Sequence, residues 1–380
     1  MYALFIDISL WEWLLFGLLF AAFVYQVTYY AVNLRGGRAE RQRGGAAPFQ
    51  PPVTVVVCAR NEEQNLERYL HRLLTQDYPV YEVIVVNDGS MDRTSEVLAI
   101  YQKQDYKLRT TFVPAEARVA STKKLGITLA AKAAQHDYLL LTDADCCPES
   151  NQWITEMVQP FANPKVDIVL GYGAYFEQDT ALNRWIQYDT QFNALHYLGA
   201  ARRGKPYMGV GRNMAYRKEF FFRMGGFTDL LSTRAGDDDL FVNKNATKSN
   251  TQIVRSAASV TWSEPKTTWK SWIEQKRRHL SVAPHYSQHS KWQLLWEPLT
   301  RGLCYALLVV LLVWGTPLVR LAALALMLIR GGWELIAFNL AIREWRHPLW
   351  GVELMVFEVL MPLVQVYLMI TRKQYKGDKW

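Results

Sequence analysis

The pattern of apolar positions divides the chain into three stretches. From Leu10 to Leu34 the residues are apolar apart from Glu12 and a few amides and hydroxyls. That run has the length of a bilayer crossing, about 20 residues of helix. Between residues 51 and 290, short apolar runs alternate with amphipathic stretches. Three more apolar segments follow. Gly302 to Val319 is free of charge, Leu321 to Ile342 holds Arg330 and Glu334, and Gly351 to Ile370 holds Glu353 and Glu358. A charge at the bilayer centre costs roughly 2.5–3.5 kcal/mol on insertion scales. Arg330 and Glu334, four apart on one helical face, are therefore expected to pair or to sit at the interface. Three full crossings would put the basic tail, Arg372 to Lys379, outside the cell, against the positive-inside rule. One of the last two segments is thus expected to lie in the interface or re-enter, and the number of spans stays open.

The middle region reads as α/β. Val53 to Ala59 is a β-branched run, the mark of a strand buried on both faces. Asn61 opens a helical pattern, with Glu62 and Glu63 at its positive end and Leu66, Leu70, Leu73 and Leu74 on its apolar face. Glu82 to Val86 is a second strand, ending in the turn Asn87-Asp88-Gly89-Ser90. Leu108 to Val113, Tyr138 to Thr142 and Val166 to Gly171 are further strands. Such alternation predicts a mostly parallel sheet with ligands at the carboxyl ends of its strands. No G-x-G-x-x-G follows the first strand and no G-x-x-x-x-G-K-[ST] occurs, which disfavours a dehydrogenase or a P-loop NTPase. The expected organisation is a membrane helix over 1–34 and a basic linker over 35–50. One α/β domain over 51–290, membrane segments over 291–371 and a basic tail over 372–380 complete it.

Charge sharpens this picture. The net charge is +8, and many of the positive groups flank apolar segments, which favours a membrane surface over nucleic acid. No Lys or Arg precedes Arg35, whereas Arg35, Arg38, Arg41 and Arg43 follow the first apolar run. A cleaved signal peptide has the reverse order. The expectation is an integral protein of the cytoplasmic membrane whose middle domain faces the cytoplasm. Trp11, Trp13, Tyr29 and Tyr30 fit an interfacial belt. The four cysteines form neither a disulfide framework nor a C-x-x-C pair, as in a reducing compartment.

Carboxylates recur at predicted strand ends. Asp88 follows one strand and by itself reads as a turn former. Asp143 and Asp145, in LLLTDAD, repel each other unless a cation or hydrogen bonds occupy the site. One or two carboxylates plus substrate phosphates are the usual way to hold Mg²⁺. Asp237, Asp238 and Asp239 are either a solvated turn capping a helix that starts near Leu240 or the source of a general base. Cys146 and Cys147 read as small residues packed under the metal motif rather than as ligands. Gln275 and Arg278, three apart in WIEQKRRH, share a helical face that can close over a diphosphate. The aromatic-rich stretch Trp185 to Tyr197 reads as domain packing or amphipathic membrane contact.

In this order the motifs resemble the family-2 glycosyltransferases of the GT-A fold. VTVVVCARNEEQNL is similar to their opening strand and helix, VIVVNDGSMDRT to their nucleotide-binding turn, and STKKLGITLAAKAA to their lysine-containing segment. LLLTDADCCPE matches their DxD metal motif, and AGDDDLF after GRNMAYRKEFFFRMGGF resembles the acceptor region and base motif. QKRRH matches Q-x-x-R-W with His279 in place of Trp. The resemblance implies an inverting transfer from a UDP- or GDP-sugar with Mg²⁺ or Mn²⁺. It implies Asp88 on the nucleotide base or ribose, with Glu62 nearby, and Lys123 or Lys124 at the donor phosphates. It further implies Asp145 on the metal, Asp143 on the ribose or the ion's surroundings, and Gln275 and Arg278 on the diphosphate. Asp237, or Asp238 in a shifted register, would be the base. His279 and the few flanking helices make a long secretion channel unexpected, and the ends resemble enzymes that glycosylate a lipid or lipid-linked acceptor. A processive polysaccharide synthase and a non-catalytic nucleotide-sugar-binding scaffold are the rival readings.

Overall fold

The computed structural model describes residues 8–33 and 49–372, apart from positions 115, 118, 232 and 234. The arginine-rich linker and the tail beyond 372 lie outside the described residues. Helix α1 is Leu10–Asn33. The middle region begins with β1 (Val53–Ala59), α2 (Glu63–Leu74), β2 (Tyr81–Asn87), α3 (Thr94–Gln104) and β3 (Leu108–Phe112). It continues through α4 (Thr122–Ala133), β4 (Tyr138–Asp143), β5 (Cys146–Pro148), α5 (Trp153–Val158), β6 (Ile168–Leu170) and β7 (Gly173–Tyr175). Then come α6 (Ala181–Arg202), β8 (Met214–Arg217), α7 (Lys218–Arg223), α8 (Asp239–Asn245), β9 (Thr251–Ile253), β10 (Thr261–Ser263) and α9 (Trp269–Leu280). Three long helices close the described chain: α10 (Gln288–Trp314), α11 (Pro317–Ile342) and α12 (Glu353–Thr371).

The chain forms two compact units. In the α/β unit the main sheet runs β3-β2-β1-β4-β8-β6-β9. β1, β2, β3 and β4 pair in parallel, and β8 is antiparallel to both β4 and β6. All seven residues of β1 are buried, as a β-branched run between two covered faces must be. The expected strands are present. The short antiparallel β8 was not foreseen, because MAYR carries neither a long apolar run nor a clean alternation. A second, three-stranded sheet, β5-β10-β7, is built from three-residue strands too short for any periodicity. The Trp185 to Tyr197 stretch lies within α6, most of which is buried, with Trp185 edge-on to Trp272 of α9.

The other unit brings α1 together with α10, α11 and α12. All four helices are long and apolar enough to cross a membrane. The expected span from Gly302 to Val319 needs correction: α10 ends at Trp314 and α11 starts at Pro317, so that stretch runs across a helix break. Proline at the first helical position of α11 and Gly315 as the C-cap of α10 explain the break better than hydropathy does. The expected domain boundary at residue 290 likewise falls inside α10, whose N-cap is Ser287. Arg330 is paired, 2.6 Å from Glu358 and 3.5 Å from Glu334.

Candidate active site

Register places the first carboxylates. Cys58 of β1 pairs with Asp143 of β4 on one side, and Ala59 pairs with Asn87 of β2 on the other. The carboxyl ends of three parallel strands therefore present Asp88 and Asp143 on either side of β1. Asp88 is 4% exposed, accepts a bond from Thr122 Oγ1 at 2.5 Å and lies 3.9 Å from Arg60. Gly89 turns the chain after it with a φ of 62°, a conformation glycine adopts without strain. Asn61 is left-handed too, with a φ of 56°. Its Oδ1 accepts from Met91 N at 2.7 Å and its own N–H donates to Ser90 Oγ at 3.0 Å. Asn61 thus ties the β1 loop to the β2 turn, and α2 starts at Glu63 rather than at Asn61.

Lys123 joins the metal motif to the acidic loop. Its Nζ donates to Asp143 Oδ1 at 2.7 Å and lies 3.3 Å from Asp237 Oδ2. Burial alone would depress the ammonium, but the charges of Asp143 and Asp237 outweigh it and hold Lys123 well above the ordinary lysine range. Lys124, the next residue, does not join this cluster: its Nζ bonds carbonyls of the 230–235 loop. A helix turns about 100° per residue, so adjacent lysines face different partners.

Asp143, Asp145 and Cys146 bring ligand atoms within 4.8 Å of one another. Burial first, and the charge of Asp143 second, push the Asp145 carboxyl up, while Arg212 pulls it down. Cys146 is buried, its thiol pushed far up by burial, and it contacts Ser263 Oγ at 3.0 Å. A protonated thiol is a poor partner for a hard divalent ion, so the two aspartates are the fitting ligands. Glu62, with Asn65 Nδ2 at 2.6 Å, is raised to about 7, chiefly by burial but also by the charges of Asp145 and Asp143.

Gly236, with a φ of 92°, swings the chain into the acidic loop. A side chain there would strike Leu240, with carbons 2.5 and 2.6 Å from an added Cβ. Burial raises the Asp237 carboxyl, but Lys123 first, with the residue's own N–H and the charge of Lys124, outweighs this, and the group sits below the ordinary range. Asp238 is pushed up to about 6 by burial and by Asp237. Its oxygens accept from Gly211 N and Asp239 N, both at 2.8 Å. Asp238 is therefore the N-cap of α8, which begins at Asp239. Asp239 is buried and accepts from Tyr286 OH at 2.9 Å.

Gln275 and Arg278 are both half-buried on α9. Gln275 Nε2 donates to Tyr175 OH at 3.1 Å. The Tyr175 ring carries the Arg212 guanidinium on its face, 4.2 Å from the centroid. Arg212 also donates to the carbonyls of Ala174 and Gly173, at 2.9 and 3.0 Å. Arg212 and Tyr175 thus link α9 to the side of Asp145. Sequence reasoning singled out neither, although Arg212 stands in the quoted GRN segment.

Residues 54–224 match the family model described as glycosyl transferase family 2. The chain carries a family-2 glycosyltransferase domain. Its GT-A architecture recurs in the mannosyltransferase PcManGT from Pyrobaculum calidifontis, solved in complex with GDP-Man and Mn²⁺. That structure superposes with a TM-score of 0.62 at 20% identity, over 96% of this chain and 99% of that one, a likeness of fold. The probable glycosyltransferase YdaM of Bacillus subtilis (strain 168) is 27% identical over 233 residues, 60% of this chain and 54% of YdaM. A poly-beta-1,6-N-acetyl-D-glucosamine synthase of Staphylococcus epidermidis is 28% identical over 120 residues, 31% of this chain and 28% of the synthase. The chain spans about half, or less, of the length of these curated relatives. The family match starts one residue into β1 and ends before the acidic loop, so Asp237 and α9 lie beyond it.

Proposed function

We propose that this chain is an inverting glycosyltransferase that moves a sugar from a UDP- or GDP-sugar to a lipid or lipid-linked acceptor. One observation carries the reading: Lys123 touches both Asp143 of the metal motif and Asp237 of the acidic loop. Groups far apart in sequence thereby meet at the carboxyl end of the sheet, where open α/β sheets bind ligands. Asp88 and Glu62 would hold the nucleoside, and Asp145 with Asp143 would hold Mg²⁺ or Mn²⁺. Bound there, the ion supplies charge neutralisation for a diphosphate leaving group. Lys123, Gln275 and Arg278 would add positive charge and hydrogen bonds for the same group. Asp237, kept ionised by Lys123, would take the proton of the acceptor hydroxyl as it attacks the anomeric carbon from the side opposite the diphosphate. The GDP-Man and Mn²⁺ of the Pyrobaculum structure support a nucleotide-sugar and a divalent ion.

The four apolar helices support a membrane-associated acceptor, and the arginines after the first helix support a cytoplasmic catalytic domain. A cysteine at Gln104, in a chain without its native cysteines, should then be shielded from an impermeant thiol reagent in intact cells. The central test is purified full-length protein with Mn²⁺, a panel of UDP- and GDP-sugars, and membrane lipid extract. A lipid product carrying one inverted sugar is expected. Products of many sugars would favour a polysaccharide synthase, a reading to which the Staphylococcus relative lends weight. Failure to turn over any donor would leave the binding scaffold.

A further inference from the structure

Among the described residues, Lys124 is the one lysine among the largest fully buried side chains, at 0% exposure. A buried ammonium is tolerated when hydrogen bonds replace its water. Here the replacement is complete. Nζ donates to Leu230 O at 2.8 Å, Thr233 O at 2.9 Å, Thr233 Oγ1 at 2.7 Å and Ala235 O at 2.7 Å. Three protons serve four acceptors, all from one short loop. The Thr233 hydroxyl is itself 2.8 Å from Leu230 O and its N–H 3.1 Å from the same carbonyl, so the acceptors form a closed nest. The last of them, Ala235, stands two residues before Asp237, with only the left-handed Gly236 between. Beyond Asp237 the chain is held again, because Asp238 accepts from Gly211 N and caps α8.

We infer that Lys124 is a positioning residue: its ammonium gathers the carbonyls of Leu230, Thr233 and Ala235 and so sets where Asp237 presents its carboxylate. The inference rests on the reading of Asp237 as base, yet it differs from the role in which Lys124 meets donor phosphate. A donor phosphate could reach this ammonium only by breaking its four bonds to the loop. On α4, consecutive lysines then divide the work. Lys123 charges the site, and Lys124 places the loop that completes it.

The test compares full-length wild type with Lys124→Met and Thr233→Val, in detergent or nanodiscs. Three readouts are taken: UDP and GDP affinity with Mn²⁺, turnover with the active donor, and amide hydrogen exchange over 228–238. Lys124→Met should speed exchange in that loop and cut kcat by about 10²-fold, the cost of small misplacement of a reacting group. Nucleotide affinity should stay within about threefold, since binding groups that are already placed contribute without the loop. Thr233→Val should shift exchange and kcat in the same direction but less. It carries the test alone if Lys124→Met does not fold. Loss of nucleotide affinity in step with kcat, with loop exchange unchanged, would overturn the inference in favour of direct phosphate contact. Unchanged exchange and unchanged kcat in both variants would overturn it outright. If the wild type turns over no donor, the proposed function fails while the exchange readout still decides whether Lys124 holds the loop.

Discussion

In the helical unit, Arg330 and Glu358 meet at 2.6 Å with side chains 2% and 4% exposed; in the glycosyltransferase domain, Lys123 and Asp143 meet at 2.7 Å with 20% and 25% exposed. The distances match and the settings do not. Around Arg330 every helix contributes. Gln26 Oε1 of α1 accepts from it at 2.9 Å, Glu334 follows it on α11, and Glu358 comes from α12. From α10, Tyr305 OH accepts from Arg330 at 3.4 Å, and Arg301 donates to Gln365 of α12 at 3.2 Å. Without water, such partners cannot be exchanged cheaply, so the cluster fixes which helix faces meet. Lys123 and its aspartates keep contact with solvent. In the proposed function their bonds would be traded for a cation, a phosphate or an acceptor hydroxyl. Burial turns one set of charges into scaffold, and partial exposure leaves the other available for chemistry.

The sharpest test of that contrast is Asp237→Asn. It should keep donor and metal affinity and lose roughly 10²–10⁴-fold in turnover, the usual worth of a positioned base. Steady-state kinetics beside nucleotide titration will decide. Near-normal turnover there, with Asp238→Asn inactive, would move the base by one residue.

Arg330→Met addresses the closed cluster and should spare nucleotide binding. Stripping one partner from a buried pair costs about 3–5 kcal/mol, readable as a large drop in thermal stability in detergent. Adding Glu358→Gln should recover part of the loss, since it removes the stranded charge. An Arg330→Met protein as stable as wild type would mean that the cluster does not hold the helices.

A smaller effect is expected from Asp238→Ala, which deletes the cap of α8 and should cost about 0.5–2 kcal/mol in unfolding. Equal stability would show that the cap is redundant beside the rest of the loop.

The smallest effect is a pH dependence away from both clusters. Burial alone would raise the Glu82 carboxyl, but Gln135 N–H, Arg109 and Thr54, each at 2.7 Å, outweigh it and hold the group below its ordinary 4.5. A depressed carboxyl stabilises the fold above its unfolded pKa, and that contribution fades as pH falls through the folded value. Stability should therefore decline below about pH 4.5, and Glu82→Gln should flatten that part of the profile. An unchanged slope in the variant would assign the acid sensitivity elsewhere.

The strands β1 and β2 were legible as short β-branched runs, and β4 as a short leucine run ending in polar residues, the marks of strands covered on both faces. Asp88, Asp143 and Asp145 were legible because polar residues ending such runs stand where the sheet exposes its carboxyl ends. The four apolar helices followed from length and hydropathy, but the break at Gly315 did not, since hydropathy runs on through it. Lys123 and Lys124 were indistinguishable as letters. Their separation is a matter of which direction each side chain leaves α4, and only the packed loop supplies the acceptors that bury one of them. The same holds for Asp237, Asp238 and Asp239. Three identical residues became a lysine-paired carboxylate, a helix cap and a buried partner of Tyr286, because Gly236 and α8 fix a different direction for each. Arg212 and Tyr175 escaped notice because a cation on an aromatic face depends on the turn before β8 meeting β7 of the other sheet, and no local pattern encodes that meeting. Sequence by itself determined the longer strands and the apolar helices, and the chemical types at the strand ends. Tertiary structure alone decided which of those groups face one another, because direction and distance arise only when the strands pair and the loops close.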